Sequence, residues 1–119
     1  MTKEHMAAMI EEYCRAETAK DRAAWFALFA DDVIHEDPVG SRTNIGIDNL
    51  ASIWADVEGY DVKLEQVAPI IACGNEAIAM LRAEGGSGEN RFVLTPIVNN
   101  FVFGDDGKIK RMRSFHSHA

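Results

Sequence analysis

The second half of the chain restricts the possible folds most, because strand-length segments there alternate with clusters of turn-forming residues. The turns are the short sequences CGNE, GGSGEN and GDDGK, which are rich in Gly, Asn and Asp. The residues between them are rich in β-branched and aromatic side chains, which predicts strands at 61–72, 76–84, 91–103 and 108–117. Consecutive strands joined by short turns pair antiparallel. The second half is therefore predicted to be an antiparallel meander.

The first half shows helical spacing instead. A first helix is predicted to begin near Thr2, with an apolar face of Met6, Met9, Ile10 and Tyr13. A second is predicted to begin at Asp21 and to bury Ala24, Trp25, Leu28 and Phe29. A third is predicted to open at Gly46 and Asp48, with an apolar stripe of Leu50, Ile53 and Trp54. Helices followed by a meander favour an α+β fold, with three N-terminal helices packed on one face of a curved antiparallel sheet.

Size and charge exclude several classes of protein. A length of 119 residues predicts one domain spanning 1–119. The net charge of −7 argues against nucleic acid or an anionic membrane as partner, since both require a basic face. We expect no signal peptide, and no apolar run approaches the ~20 residues of a membrane span. Cys14 and Cys73 form no CxxC pair and are predicted to be buried thiols, which favours a reducing compartment, the cytoplasm.

A further short strand is predicted at VIHED in the first half of the chain, and it runs into an acidic segment, HEDPVG. Because side chains alternate along a strand, His35 and Asp37 share one face and Glu36 occupies the other. Pro38 holds the preceding residue in extended geometry and ends the strand. The long strand 91–103 is apolar on both faces, so one face is expected to meet the helices and the other a partner subunit.

This arrangement resembles the bacterial ketosteroid isomerases of the SnoaL-like, or nuclear-transport-factor-two-like, superfamily. The resemblance covers nearly the whole chain and lies in a helix with Tyr13 and in the stretches FALFADDVIHEDPVG, IGIDNLASIW and NNFVFGDDGKIKRMRSF. The separation of Tyr13 from Asp37, 24 positions along the chain, matches the family spacing. The resemblance implies a conical fold whose strongly curved sheet encloses a deep apolar pocket, a fold that supports many chemistries.

The resemblance also implies a mechanism without a cofactor. Asp37 would be the general base that moves a proton from C4 to C6 of a 3-oxo-Δ5 steroid. Tyr13 would donate a hydrogen bond to the dienolate oxygen. The family's second donor is an acid kept neutral, four residues before the Phe of the last hairpin. Asn99 occupies that position here, and because an amide donates at any pH, Asn99 is predicted to be the second donor.

The substrate side of the pocket departs from the family. Trp54 stands where a tyrosine usually supports the catalytic Tyr, and His116 stands near where the family tends to place an aromatic residue. Strand alternation adds residues that share a face with Asn99 or with His116. The predicted substrate-binding set is Trp54, Ile97, Phe101, Met112, Ser114 and His116. The expected partners are a hydrophobic, steroid-like ketone and a second copy of the chain.

Three functions stay open at this stage. The first is a ketosteroid-type isomerase, and the second is a SnoaL-like polyketide cyclase or dehydratase that uses Asp37 on another ketone. A dehydratase favours a histidine beside its acid, for which His35 and His116 are available. The third is a non-catalytic module that binds a small ligand. No metal is expected, because His35, His116 and His118 belong to no compact set of ligand spacings.

Overall fold

The computed structural model describes residues 1–117, so His118, one of the histidines considered for a metal site, lies outside the described residues. Helix α1 (Lys3–Ala19) is capped by Thr2, whose hydroxyl accepts a hydrogen bond from the backbone N–H of His5 at 3.1 Å. Helix α2 (Arg22–Phe26) is capped by Asp21, and α3 (Ala51–Gly59) follows a short 3-10 turn. None of these helices has the length and apolar character that crossing a membrane requires.

Seven strands follow or separate the helices. They are β1 (Phe29–Glu36), β2 (Thr43–Ile45), β3 (Val62–Gln66), β4 (Ile71–Cys73), β5 (Glu76–Gly85), β6 (Phe92–Phe103) and β7 (Ile109–Phe115). The predicted strand 61–72 is two strands, interrupted at 67–70 around Pro69, which cannot donate to a ladder. Strand β2 lies within the stretch SRTNIG, for which the sequence predicts a loop, and that prediction is wrong for Thr43–Ile45. Helix α2 is shorter than predicted, because Phe29 is buried as the first residue of β1 instead of in the helix.

The strands form one open, mixed sheet in the order β2-β1-β7-β6-β5-β3, with β4 also paired to β5. The predicted antiparallel pairing is confirmed for β5 with β6 and for β6 with β7. The prediction of a wholly antiparallel sheet is wrong, because β1 pairs parallel with β7. These two strands are distant in sequence, so no tight turn forces them to run in opposite directions.

The concave face of the sheet carries the core. Strand β5 presents small residues there, including Ala77 and Ala79, which lets the helices approach closely. Strand β6 presents Phe101, whose ring meets the ring of Tyr13 edge-on at 5.3 Å between centroids. Trp25 lies at the centre of an aromatic cluster with ring centroids 4.7 to 6.5 Å away, formed with Tyr13, Phe26, Phe29 and Trp54. These contacts fix α1 and α3 over the sheet.

The two cysteines differ in exposure. Cys14 is buried on α1 as predicted, and burial raises the pKa of its thiol to about 12. The prediction that Cys73 is buried is wrong, because it ends the short strand β4 on the exposed side of a turn.

One polar contact ties α1 to the edge of the sheet. The Thr18 hydroxyl accepts a hydrogen bond from the Leu64 backbone N–H at 2.9 Å and donates to the Leu64 carbonyl at 3.3 Å. Leu64 is on β3, the last strand of the sheet order, whose outer edge has no neighbouring strand. The hydroxyl therefore satisfies backbone groups that an edge strand leaves open.

Replacing Thr18 by Val is expected to lower the free energy of unfolding by about 1–2 kcal/mol, because the Leu64 N–H loses its partner without a change in side-chain volume. Urea unfolding followed by circular dichroism measures the change. Thr18→Ser is the matched control, since it keeps the hydroxyl. Equal stabilities of the Val and Ser variants would show that the contact contributes nothing.

Candidate functional site

A cavity of about 790 Å³ opens between α1, α3, β1 and the first half of β6. Its wall is largely apolar and is contributed by Ile53, Val57, Val62, Phe92, Val93 and Leu94. Its polar lining includes side chains on α1, at β1 and after β7, namely Tyr13, Glu17, His35, Asp37 and His116, together with Asp56 and Tyr60 at α3 and Thr95 on β6. An apolar cavity with a few convergent polar groups is the usual form of a small-molecule site.

The parallel pairing of β1 with β7 brings Asp37 and His116 together. His35 is opposite Met112 and Glu36 is opposite Arg113, so both strands end at the same edge of the sheet. Asp37 follows β1 and His116 follows β7. The Asp37 Oδ1 and the His116 Nε2 are 2.8 Å apart, a hydrogen bond whose proton position depends on the imidazole tautomer. The result is a carboxylate with one oxygen held by a histidine.

The segment after Asp37 is fixed by the backbone. The Val39 N–H donates to the Ser114 carbonyl at 2.8 Å, and the peptide bond between Asp37 and Pro38 is cis. The Asp37 side chain keeps 34% of its surface exposed toward the cavity and its mouth, whereas that of His116 keeps 8%. The acid is therefore accessible to a ligand while its partner is mostly covered.

Tyr13 is held at the bottom of the cavity by aromatic packing. Its ring is 97% buried against Phe101, Phe29 and Trp25. Burial raises the pKa of its phenol well above the ordinary value, and the negative charges of Glu17 and Asp37 raise it further. Tyr13 is therefore a neutral hydrogen-bond donor throughout the physiological pH range.

Glu17 is a site residue that sequence reasoning missed. It follows Tyr13 by four positions, so the two side chains lie one helical turn apart on the same face of α1. Burial, followed by the charge of Asp37, raises the pKa of its carboxyl to about 7. The nearby Trp25 indole, the Tyr13 phenol and the charge of Lys20 act in the opposite direction. Its spacing from Tyr13 along an otherwise apolar stripe was the available signal.

His35 shares the inward face of β1 with Asp37, as predicted from strand alternation. The imidazole is 99% buried, and desolvation lowers its pKa even though the charge of Asp37 opposes the change. It is therefore neutral at pH 7. Its Nδ1 has no hydrogen-bond partner within residues 1–117, which leaves a buried polar atom at the cavity wall.

The structure brings together three of the residues predicted from the sequence, Tyr13, Asp37 and His116. The other predicted site residues are buried and do not contribute to the cavity wall within residues 1–117: Asn99, Trp54, Ile97, Phe101, Met112 and Ser114. The Trp54 indole N–H donates to the Glu58 Oε1 at 2.6 Å, away from Tyr13. The Asn99 amide is 98% buried, and its oxygen has no partner among the described residues.

The acids and histidines of the cavity are not arranged as a metal centre. Across residues 1–117, no group of three or more His, Cys, Asp or Glu side chains has the geometry to hold an ion. The arrangement suits proton transfer instead, because it combines an accessible carboxylate, a buried neutral phenol and a second carboxyl whose charge changes near neutral pH.

Comparison with known proteins finds relatives over almost the full chain. The SnoaL-like domain family matches residues 10–112. The steroid Delta-isomerase of Nocardioides simplex is 31% identical over 108 residues, which cover 91% of this chain and 86% of that protein. The named relatives are enzymes, which suggests an enzyme of the same family.

Two solved structures share the fold. One is the epoxide hydrolase/cyclase-like enzyme SalBIII, which has a role in pyran ring formation in the polyether salinomycin, with a TM-score of 0.84 and 24% identity. The other is a candidate polyketide cyclase from Xanthomonas campestris pv. campestris, with a TM-score of 0.82 and 22% identity. Each alignment covers 97% of this chain and 92% of the other. These two likenesses establish the fold alone.

The burial of Glu17 predicts a pH-dependent stability. The folded-state pKa of about 7 lies above the ordinary value of 4.5, so the native protein loses stability as the pH rises from 4.5 to 7. Glu17→Gln removes this titration. The variant is expected to match the wild type below pH 4.5 and to be more stable by about 1–3 kcal/mol above pH 7.

Urea unfolding at a series of pH values tests this prediction. The matched control is Glu11→Gln, because Glu11 is exposed on the same helix. A difference between Glu17→Gln and the wild type that stays constant with pH would contradict a raised pKa.

Proposed function

Because the chain belongs to the SnoaL-like family, we propose that it is an isomerase that transfers a proton within a 3-oxo-Δ5 steroid-like ketone. The observation that carries the proposal is the placement of Asp37 and Tyr13 in one apolar cavity, near enough for the Asp37 charge to affect the phenol pKa. The similarity to a steroid Delta-isomerase over 91% of the chain supports the same reaction.

The proposed reaction uses one base for two proton transfers. Asp37 removes a proton from C4 of the ketone, and the electron pair moves into a dienolate whose oxygen becomes negative. The same carboxyl then returns the proton at C6, which moves the double bond into conjugation. Tyr13 donates a hydrogen bond to the dienolate oxygen, and since its phenol stays neutral it donates throughout the cycle. The apolar wall excludes water that would exchange with the transferred proton.

A second candidate function rests on the bond between Asp37 and His116. A carboxylate that is hydrogen-bonded to an imidazole at 2.8 Å resembles an acid–base pair, in which one group removes a proton and the other delivers one to a leaving oxygen. Such a pair suits a dehydratase or a polyketide cyclase acting on a hydroxyketone. The two functions differ in the role of His116, which transfers a proton in a dehydratase and only holds Asp37 in an isomerase.

The decisive test is the ultraviolet absorbance that appears when a 3-oxo-Δ5 steroid becomes conjugated. Asp37→Asn is expected to lower kcat by about 10²–10⁴-fold, because the amide accepts no proton. Asp32→Asn, an exposed acid on the same strand, is the matched control and is expected to keep wild-type activity. Wild-type turnover no faster than that of Asp37→Asn would remove the isomerase proposal.

His116→Gln separates the two enzymatic candidates. An isomerase is expected to keep most of its kcat in this variant, because Gln retains a hydrogen-bonding group beside Asp37. A dehydratase would lose the residue that carries its second proton.

We also propose a homodimer that forms through the outer face of the sheet. That face exposes Ile34 on β1, its paired neighbour Ile45 on β2 and Phe115 on β7, with 38%, 63% and 43% of each residue accessible. Burying such side chains against a second copy gains about 25 cal/mol for each Å² of apolar surface.

Ile45→Glu is expected to convert the dimer to a folded monomer, since a charge at this exposed position harms the interface and not the core. Sedimentation velocity measures the change in mass, and Ala8→Glu, at an exposed position on α1 away from the outer face of the sheet, is the control. A wild-type protein that sediments as a monomer would contradict the proposed dimer.

A further inference from the structure

We propose that Glu17 is a second acid of the site, which donates a hydrogen bond beside Tyr13 to the carbonyl oxygen of the bound ketone. The inference deepens the proposed function and rests on it for the identity of the substrate. Glu17 on α1 would then be the second hydrogen-bond donor, a role predicted from the sequence for Asn99 on β6.

The register of α1 places the two donors side by side. Residues four apart on a helix stack along one face, and both Tyr13 and Glu17 line the cavity. The two side chains interact directly enough for each to change the pKa of the other. A ligand oxygen that reaches the Tyr13 hydroxyl is therefore also close to the Glu17 carboxyl.

Trp25 supplies a second geometric observation. Its indole N–H is completely buried and close enough to Glu17 to favour the ionised carboxyl. It nevertheless has no partner at hydrogen-bonding distance within residues 1–117. Within the described residues the Trp25 indole therefore makes no hydrogen bond to Glu17, whose side chain lines the cavity.

The charge of the cavity decides which acid carries the proton. Two carboxylates in one low-dielectric site repel each other, so one of them binds a proton more readily than it would in water. The more buried acid is Glu17, and burial is the first cause of its raised pKa. The other titratable or charged groups around the cavity are Tyr13 and Lys20 on α1, His35 and Asp37 at β1, Asp56 and Tyr60 at α3, and His116 after β7. Asp37 is thereby left to act as the base.

A neutral Glu17 suits an oxyanion and an ionised one opposes it. The protonated carboxyl is a stronger donor than an amide, whereas the carboxylate has no proton to donate and repels a developing negative charge. The buried amide of Asn99 does not contribute to the cavity wall within residues 1–117. Glu17 therefore has the more direct access to the substrate oxygen.

The test is the pH dependence of ligand binding, measured by quenching of tryptophan fluorescence with a 4-en-3-one steroid. The ketone of this ligand accepts hydrogen bonds and donates none, so it binds more tightly when Glu17 is protonated and can donate. Wild-type affinity is expected to fall by at least about fivefold as the pH rises through 7, the equivalent of one ordinary hydrogen bond. Glu17→Gln is expected to lack this step, because its amide donates at every pH.

Two controls isolate the effect. Glu11→Gln keeps the cavity intact and should follow the wild type, and Asn99→Ala should retain the step at pH 7 even if its affinity is lower. A carbon NMR titration of the Glu17 carboxyl in the wild type needs no variant. It is expected to give a midpoint of about 7 that rises when the enone binds.

The outcomes separate the inference from the proposed function. A Glu17 carboxyl that titrates at its ordinary pH, or equal pH profiles for the wild type and Glu17→Gln, would overturn the inference even if Asp37-dependent isomerase activity is found. If the pH-dependent step is lost in Glu17→Gln but no Δ5 steroid is isomerised, the inference stands and the isomerase proposal fails.

Discussion

The parallel pairing of β1 with β7 is the constraint on which the candidate site depends. Their paired residues lie 77 positions apart along the chain, since His35 is opposite Met112 and Glu36 is opposite Arg113. Parallel strands finish at the same edge of a sheet, so the residues that follow them meet. An antiparallel arrangement would have placed His116 at the far end from Asp37. The bond between their side chains, and with it the chemistry of the accessible carboxylate, follows from the direction of one strand pair.

Burial by α1 and its aromatic neighbours then assigns the protonation states. Tyr13 is neutral because the packing of Phe101, Phe29 and Trp25 removes water from its phenol. The same helix carries Glu17 one turn later into the same environment, where the nearby charge of Asp37 adds to the cost of ionisation. A single helical face thus supplies to the cavity a neutral phenol and a carboxyl whose pKa is about 7, while the exposed Asp37 follows β1. Differences in burial therefore distinguish Tyr13 and Glu17 from Asp37.

Local patterns predicted the parts of this site that depend on local geometry. Helical spacing identified the buried face of α1, and strand alternation predicted that His35 and Asp37 share a face. Alternation did not show which face is inward, nor that the helices cover the part of the sheet around Phe101 and Met112 and leave the cavity to the first half of β6. Glu17 was missed because an acid on a helix is usually solvated. Its raised pKa depends on burial in the folded protein and on the charge of Asp37, which comes from another element.

The hydrogen bond to His116 limits how Asp37 can act in any reaction. The imidazole holds Oδ1 at 2.8 Å and is itself largely covered. An apolar ketone that fills the cavity would remove the water able to replace this bond, so breaking it would leave a buried polar group without a partner. Proton transfer is therefore expected at the other oxygen, Oδ2, while Oδ1 stays anchored. An isomerase needs that one oxygen to reach two carbons of the substrate, whereas a dehydratase needs it to reach only one. Oδ2 can move only as far as the Asp37 carboxyl can rotate while Oδ1 stays bonded to His116. This distance consequently decides whether Asp37 suits an isomerase or a dehydratase.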